Sequence, residues 1–193
     1  MAVVDLPDSL IFSNLVVKHN IPNYKTESIS MKQKTKARGL HRMEGTIDVT
    51  LGDLQSQKAW TSFLLRVQGS LNEFELGLPL HFTSDIESNP TITSPVGIGT
   101  TQLNLGAFGG TILQGSCFTV LNDPKIYHTT SDITGGGNVN IYPALQKSQL
   151  ANTVLNFKTP KITVRFSEDV QSITYGEGGL ILDATIDWVE ALS

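Results

Sequence analysis

The chain has a single cysteine, Cys117, in 193 residues. An internal disulfide framework and a cysteine-based zinc site are therefore both excluded. No apolar run approaches the roughly 20 residues that a helix needs to span a bilayer. Charge is sparse: 17% of residues are Asp, Glu, Lys or Arg, against about 25% in an average soluble domain. Positive charge is sparser still, with no Lys or Arg between Val67 and Pro124 and a formal net charge of −4. A general nucleic-acid binder is usually strongly basic, so this balance speaks against that class. The opening MAVVDLPDSLIF carries acids where a secretory leader needs a basic segment, and export is not expected. What is present is apolar side chain, at 39% of residues, which is enough for a real core and against disorder. The length allows one large domain or two small ones.

The dominant hydrophobic period is 2. Met43, Gly45, Ile47, Val49 and Leu51 alternate with Glu44, Thr46, Asp48 and Thr50, which predicts a strand with one apolar and one polar face. The same rule predicts strands through Phe74, Leu76, Leu78 and Leu80, with Glu75 opposite, and through Ile162, Val164 and Phe166. In the last strand Leu180, Leu182, Ala184, Ile186 and Trp188 point one way, and Asp183, Thr185 and Asp187 the other. Five shorter β-like runs lie near 91–96, 101–105, 117–121, 125–130 and 138–142. One helix interrupts them over 53–67, where Trp60, Phe63, Leu64 and Val67 make a single stripe. Asp53 or Thr50 can cap its start, and Gly69 stands past its end, where a left-handed residue is cheap. The expectation is a mainly β, α+β fold: a sandwich or half-barrel with one flanking helix.

From Asp85 to about Thr159 the turns crowd together, with Gly97 to Gly99, Gly106 to Gly110, Asn122-Asp123-Pro124 and Gly135-Gly136-Gly137 among them. Short strands at that spacing predict a small closed barrel or sandwich. The chain therefore reads as a discontinuous domain, 1–84 plus 160–193, carrying an inserted small β-barrel at 85–159. Pro79 and Pro160 lie near the two junctions.

Catalytic constellations are not evident. His19, His41, His81 and His128 are scattered, with no metal-ligand spacing. Gly97-Ile98-Gly99 lacks a third glycine and a following helix, and Gly135-Gly136-Gly137 lacks the Lys-Ser/Thr ending of a P-loop; both read as turns, the second as a hairpin tip between Tyr127–Thr130 and Val139–Tyr142. The pairs Glu73 with Glu75 and Asp183 with Asp187 fall on polar strand faces, where solvated acids are expected. Cys117 lies in an apolar run with Phe118 and Val120 and reads as a small buried hydrophobe. The reading is a protein that is not an enzyme and takes no cofactor or metal.

The feature that stands out is MKQKTKAR. Lys32, Lys34, Lys36 and Arg38 alternate with Met31, Gln33, Thr35 and Ala37. On a strand, these four charges line one face at about 6–7 Å spacing. Such a row either protects a solvated edge from pairing or docks an acidic partner, because aligned like charges repel unless neutralised. Nucleic-acid binding would want interleaved aromatics, and 31–42 contains none.

Two stretches resemble a known family. Residues 41–79, HRMEGTIDVTLGDLQSQKAWTSFLLRVQGSLNEFELGLP, look like the strand, helix, Gly and Phe-x-Leu strand of the distal tail proteins of long-tailed, non-contractile bacteriophages (siphophages). Residues 114–169 are similar to that family's later order of motifs. Gly115 and Phe118 precede Lys125 and Tyr127; a glycine-tipped hairpin leads to Ile141, Pro143 and Leu145, and Arg165-Phe166 returns the chain to the first domain. The resemblance implies a tail-tube-like β-sandwich with a flanking helix and an inserted OB-like barrel. It implies a virion structural protein, made in the host cytoplasm and placed at the distal end of the tail. Its subunits would form a hexameric ring joining the tail tube protein to the baseplate hub and tail tip, with DNA only passing through the channel and no membrane partner. The family offers no catalytic residues to carry over.

Under that resemblance a cationic row facing the channel would hold ejected DNA. Lys32, Lys34, Lys36 and Arg38 are therefore expected to face a neighbouring subunit or ring, with Asp183 and Asp187 as counter-charges. The alternative is a carbohydrate-binding module acting in host attachment, since OB-like barrels bind oligosaccharides. Its stacking candidates in the insert are Phe108, Phe118, Tyr127, Tyr142 and Phe157, most of them on apolar faces. A wall-degrading hydrolase has no catalytic constellation to support it.

Overall fold

The computed structural model describes the backbone of residues 3–176 and 181–192, and the side chains of 3–176 and 184–192. Along the first third of the chain run β1 (Val3–Val4), β2 (Ile11–Asn20), β3 (Asn23–Glu27), β4 (Gln33–Ala37), β5 (Arg42–Thr50), α1 (Leu54–Val67) and β6 (Glu73–Gly77). The middle holds β7 (Gln102–Leu105), β8 (Thr111–Ile112), β9 (Cys117–Val120), β10 (Asp123–Thr129), β11 (Ile133–Thr134), β12 (Gly137–Tyr142) and β13 (Leu155–Asn156). The chain closes with β14 (Lys161–Phe166), β15 (Thr174–Tyr175) and β16 (Ile181–Glu190). The fold is mainly β with one α-helix among the described residues, and the expected α+β class is what is seen.

Two compact units emerge. The first comprises Met1–Ile21, His41–Leu76 and Thr163–Ala191; the second comprises Pro22–Leu40, Gly77–Ile162 and Leu192–Ser193. The expected division put 1–84 wholly in the first domain. The contacts instead group residues 22–40, 77–84 and 160–162 with the second unit.

The first unit is a sheet in the order β1-β6-β14-β16-β5-β2, with β15 against β16. Its pairs are antiparallel from β14 to β16, β16 to β5 and β5 to β2, while β1 runs parallel to β6. The alternation read in β5 and β16 holds: Met43, Ile47, Val49, Ala184, Ile186 and Trp188 are buried. Leu180 lies outside the described residues, as do the side chains of Leu182 and Asp183. On α1 the buried stripe is Trp60, Phe63 and Val67, while Leu64 of the expected stripe is half-buried. Phe63 meets Phe74 of β6 edge-on at 5.3 Å, and Phe74 lies 5.3 Å from Phe166 of β14. These three rings fix the helix to the sheet, each pair adding about 0.5–1.5 kcal/mol beyond its area.

Asp53 caps the helix. Its carboxylate accepts the Ser56 N–H at 2.6 Å while its own N–H donates to Ser56 Oγ at 3.2 Å, a reciprocal box that satisfies two orphan donors. At the other end the left-handed residue is Gln68 itself (φ 56°), followed by Gly69 (φ 65°), so the reversal begins one residue before the glycine that was expected to supply it.

Two further expectations change. The strand predicted to reach Leu80 stops at Gly77, because Pro79 has no N–H for a ladder; the chain then enters a 3-10 turn at Leu80–Phe82, and Leu80 is exposed. Glu73 is not a solvated acid: it is buried, and Arg165 of β14 donates to it at 2.7 Å. The hairpin read between 127–130 and 139–142 is present, since β10 and β12 pair antiparallel with His128 opposite Tyr142 and Thr129 opposite Ile141; Gly135-Gly136-Gly137 lies in its connection and at the start of β12, and that connection also carries β11, which pairs with β8. All three of these glycines take positive φ.

The second unit contains the sheet β13-β9-β10-β12-β7, the pair β11-β8 and the pair β3-β4. One contiguous core runs through it, including Ile92, Leu103, Phe118, Tyr127, Val139 and Phe157. Of the five aromatics considered for sugar stacking, Phe108, Phe118, Tyr127 and Phe157 are buried in that core.

Candidate functional site

The basic row lies on β4 and its flanks, in an antiparallel hairpin with β3. Asn23 pairs with Ala37, Tyr24 with Lys36, Lys25 with Thr35, Thr26 with Lys34 and Glu27 with Gln33. Directly opposed residues share a face. Tyr24, Thr26, Lys34 and Lys36 therefore occupy one face and Asn23, Lys25, Glu27, Gln33, Thr35 and Ala37 the other. Arg38 belongs to the first face, since its guanidinium carbon stands 4.9 Å from the Tyr24 ring centre. The one acid of the hairpin, Glu27, falls on the opposite face from Lys34, Lys36 and Arg38.

The turn is closed by its own backbone. Ser28 N–H donates to the Lys32 carbonyl at 3.0 Å, Met31 N–H donates to the Ser28 carbonyl at 2.8 Å, and Met31 takes a left-handed φ of 58°. The Ser28 hydroxyl also accepts the Lys32 N–H at 3.2 Å. Every residue from 23 to 40 is exposed, including Ile29 and Met31 at the tip, the latter 83% exposed. The β3-β4 pair joins no third strand among the described residues. An isolated two-stranded ribbon is marginal in water, so this arm has much to gain from a surface to lie on.

Charge is divided unevenly along the chain. Residues 22–40 hold five of the 14 Lys and Arg and one of the 18 Asp and Glu, a segment charge of +4; the rest of the chain, with nine bases and 17 acids, carries −8. On the first unit, Asp187 of β16 is exposed and sits opposite Thr46, and Asp48 of β5 sits opposite Thr185. Asp48 and Asp187 therefore share the outer face of that sheet. Asp48 is held ionised: the Asn14 amide donates to it at 3.0 Å and the Thr185 hydroxyl at 2.8 Å, and these bonds pull its pKa below the usual carboxylate range. The expected counter-charge Asp183 has its side chain outside the described residues.

The structure also brings together residues that the sequence separates. In the first unit His19 Nδ1 and His41 Nε2 lie 2.9 Å apart with stacked rings, one donating and the other accepting. The antiparallel pairing of β2 with β5 makes the meeting: His19 sits opposite Met43, two residues after His41. In the second unit Cys117 and His128 are register partners, with Sγ 3.2 Å from Nδ1. The thiol is fully buried, and buried structural cysteines are inert toward substrates in solvent.

No protein-family model matches this sequence, and no curated protein matches it.

Proposed function

We propose that the protein is a virion structural subunit, a distal tail protein whose copies form a hexameric ring between the tail tube and the baseplate hub. The observation that carries this reading is the β3-β4 hairpin: fully exposed, cationic along one face, and attached to a chain whose remaining residues are strongly acidic. Opposite potentials on two patches of one molecule favour contact between copies. The hairpin and the acidic outer face of β5 and β16 are different patches, and in this reading they meet head-to-tail rather than as a two-fold pair. Head-to-tail contacts close into rings when the rotation permits. A mainly β subunit with a curled sheet and one flanking helix fits the tail-tube-like domain that the resemblance implies. In this reading Lys32, Lys34, Lys36 and Arg38 lie on the neighbouring copy, away from DNA in the channel.

The test is the mass of the purified protein in solution, by light scattering on a sizing column, followed by negative-stain imaging. Six-membered rings with a central hole are expected. A monomer at every concentration contradicts the reading.

A further inference from the structure

We infer that the tip of the β3-β4 arm, Ile29 and Met31, docks into a cleft on the second unit of a neighbouring copy of this chain. The inference rests on the assembly reading above and names a second surface for the same arm. Ile29 is fully exposed and Met31 nearly so, so neither side chain fills a pocket of its own chain. From Lys25 to Lys36 every other side chain is polar or charged, and the turn sets the two apolar ones at the far end. Met31 holds a left-handed φ of 58°, fixed by the Ser28 bonds to Met31 and Lys32. A bulky side chain held in that sparsely populated region is the kind of backbone that clusters at binding elements, and Met is enriched where proteins meet.

The cleft lies between the 3-10 turn at Leu80–Phe82 and the β8–β9 connection, and it suits the tip in size, polarity and sign of charge. It encloses about 480 Å³, enough for both apolar side chains. Leu80 and Leu113 line it and are exposed, so its apolar edge is as uncovered as the tip. Asp85 lines it too, and Asp132 stands beside it, where its carboxylate accepts the Gln114 N–H at 2.7 Å. Both acids are exposed. No Lys or Arg lines the cleft, and none occurs between Val67 and Pro124. The arm brings the opposite sign: Lys25 and Lys32 flank its tip, within a segment of charge +4. Apolar contact at the centre with opposite charges around it is how specific interfaces are built. A groove elsewhere in the second unit, lined by Leu121, Lys147, Leu150 and Val154, carries a cation and no acid, so the charge of the arm counts against it.

The experiment is disulfide trapping between full chains. A Met31→Cys chain is mixed with a size-tagged Leu113→Cys chain under mild oxidation, and the mixed covalent pair is read on a non-reducing gel. Ile98→Cys, an exposed position elsewhere in the second unit, replaces Leu113→Cys as the control, and the native Cys117 is buried. The Leu113→Cys chain should give several-fold more mixed pair than the control. Asp85→Lys with Asp132→Asn on that chain should cut the yield about tenfold or more, since a cation facing the arm opposes association. Equal yields at the two positions overturn the proposal, and so does a yield that survives the charge change. Light scattering on the unsubstituted chain keeps the two readings apart. Rings without the selective cross-link overturn the docking and leave the ring standing, whereas a selective cross-link without rings supports the docking and contradicts the ring. Flotation with phosphatidylglycerol vesicles that Ile29→Ser abolishes would assign the tip to a lipid surface and overturn the proposal.

Discussion

The guanidinium of Arg38 stands 4.9 Å from the centre of the Tyr24 ring, at the base of the β3-β4 hairpin. It is the one cation–aromatic contact the arm has, and it draws the end of the basic row onto the same face as Lys34 and Lys36. At an exposed site such a contact is worth about 0.5–1 kcal/mol, enough to matter for a ribbon with little else to hold it. Tyr24→Ser should therefore speed amide exchange across Asn23–Ala37 several-fold while leaving the buried strands of both units unchanged. Equal exchange in the variant would mean that backbone pairing alone orders the arm.

Glu73 and Arg165 join β6 to β14 through a 2.7 Å ion pair in which the carboxylate is the more buried partner. Removing one side of such a pair leaves a charge without compensation, at a cost of about 3–5 kcal/mol for full burial. Arg165→Met should cost about 2–3 kcal/mol by urea unfolding, below the fully buried range because Arg165 keeps some exposure. Adding Glu73→Gln to the same chain should recover a large part of that loss. A double variant no more stable than Arg165→Met would show that the pair itself contributes little.

Gly45 occupies the middle of β5, where a strand normally prefers a side chain. A Cβ there would lie 1.8 Å from the Val16 carbonyl oxygen and 3.0 Å from the Trp188 ring. The close approach comes from the irregular register of β2 between Ser13 and Val16, where Asn14 takes a φ of 49°. Gly45→Ala should destabilise the first unit by at least about 3 kcal/mol, in the range reserved for steric failure in a core. A loss below about 1 kcal/mol would mean that β2 shifts without penalty.

Three carboxyls among the described residues carry lowered pKa values. The Asn14 amide and Thr185 hydroxyl hold Asp48 down, the Ser56 N–H and hydroxyl hold Asp53 down, and the Ser70 hydroxyl and N–H hold Asp169 down. A carboxyl whose folded pKa is depressed adds stability above its unfolded value of about 4, and loses it as pH falls through the folded value. The thermal midpoint should be level near neutrality and fall below about pH 4. Asp48→Asn with Asp169→Asn should lower the midpoint at pH 7 and flatten the acid slope. An unchanged slope would assign acid sensitivity to other groups.

How much of this was legible in the sequence differs from element to element. β5, β16 and α1 announce themselves, because each has one face in a core and the other in solvent, and the pattern records that division. β2 was missed: Phe12, Val16 and Val17 do not alternate, because the break between Ser13 and Val16 resets the register mid-strand. The burial of Glu73 was hidden too, since its partner Arg165 is 92 positions away. The meeting of His19 and His41 depends on a strand pairing that spacing does not encode. The basic row was readable from alternation alone. That β3 lies beside it, and that the whole arm stands exposed, required the three-dimensional fold.

The most direct test of the assembly claim is a charge swap read by light scattering. Lys34→Glu with Lys36→Glu should convert rings to folded monomers, with an unchanged circular dichroism spectrum. Adding Asp187→Lys to that chain should restore part of the ring population. Rings that persist unchanged in the Lys34, Lys36 variant would contradict the account, because the hairpin's positive face would then play no part in holding one copy to the next.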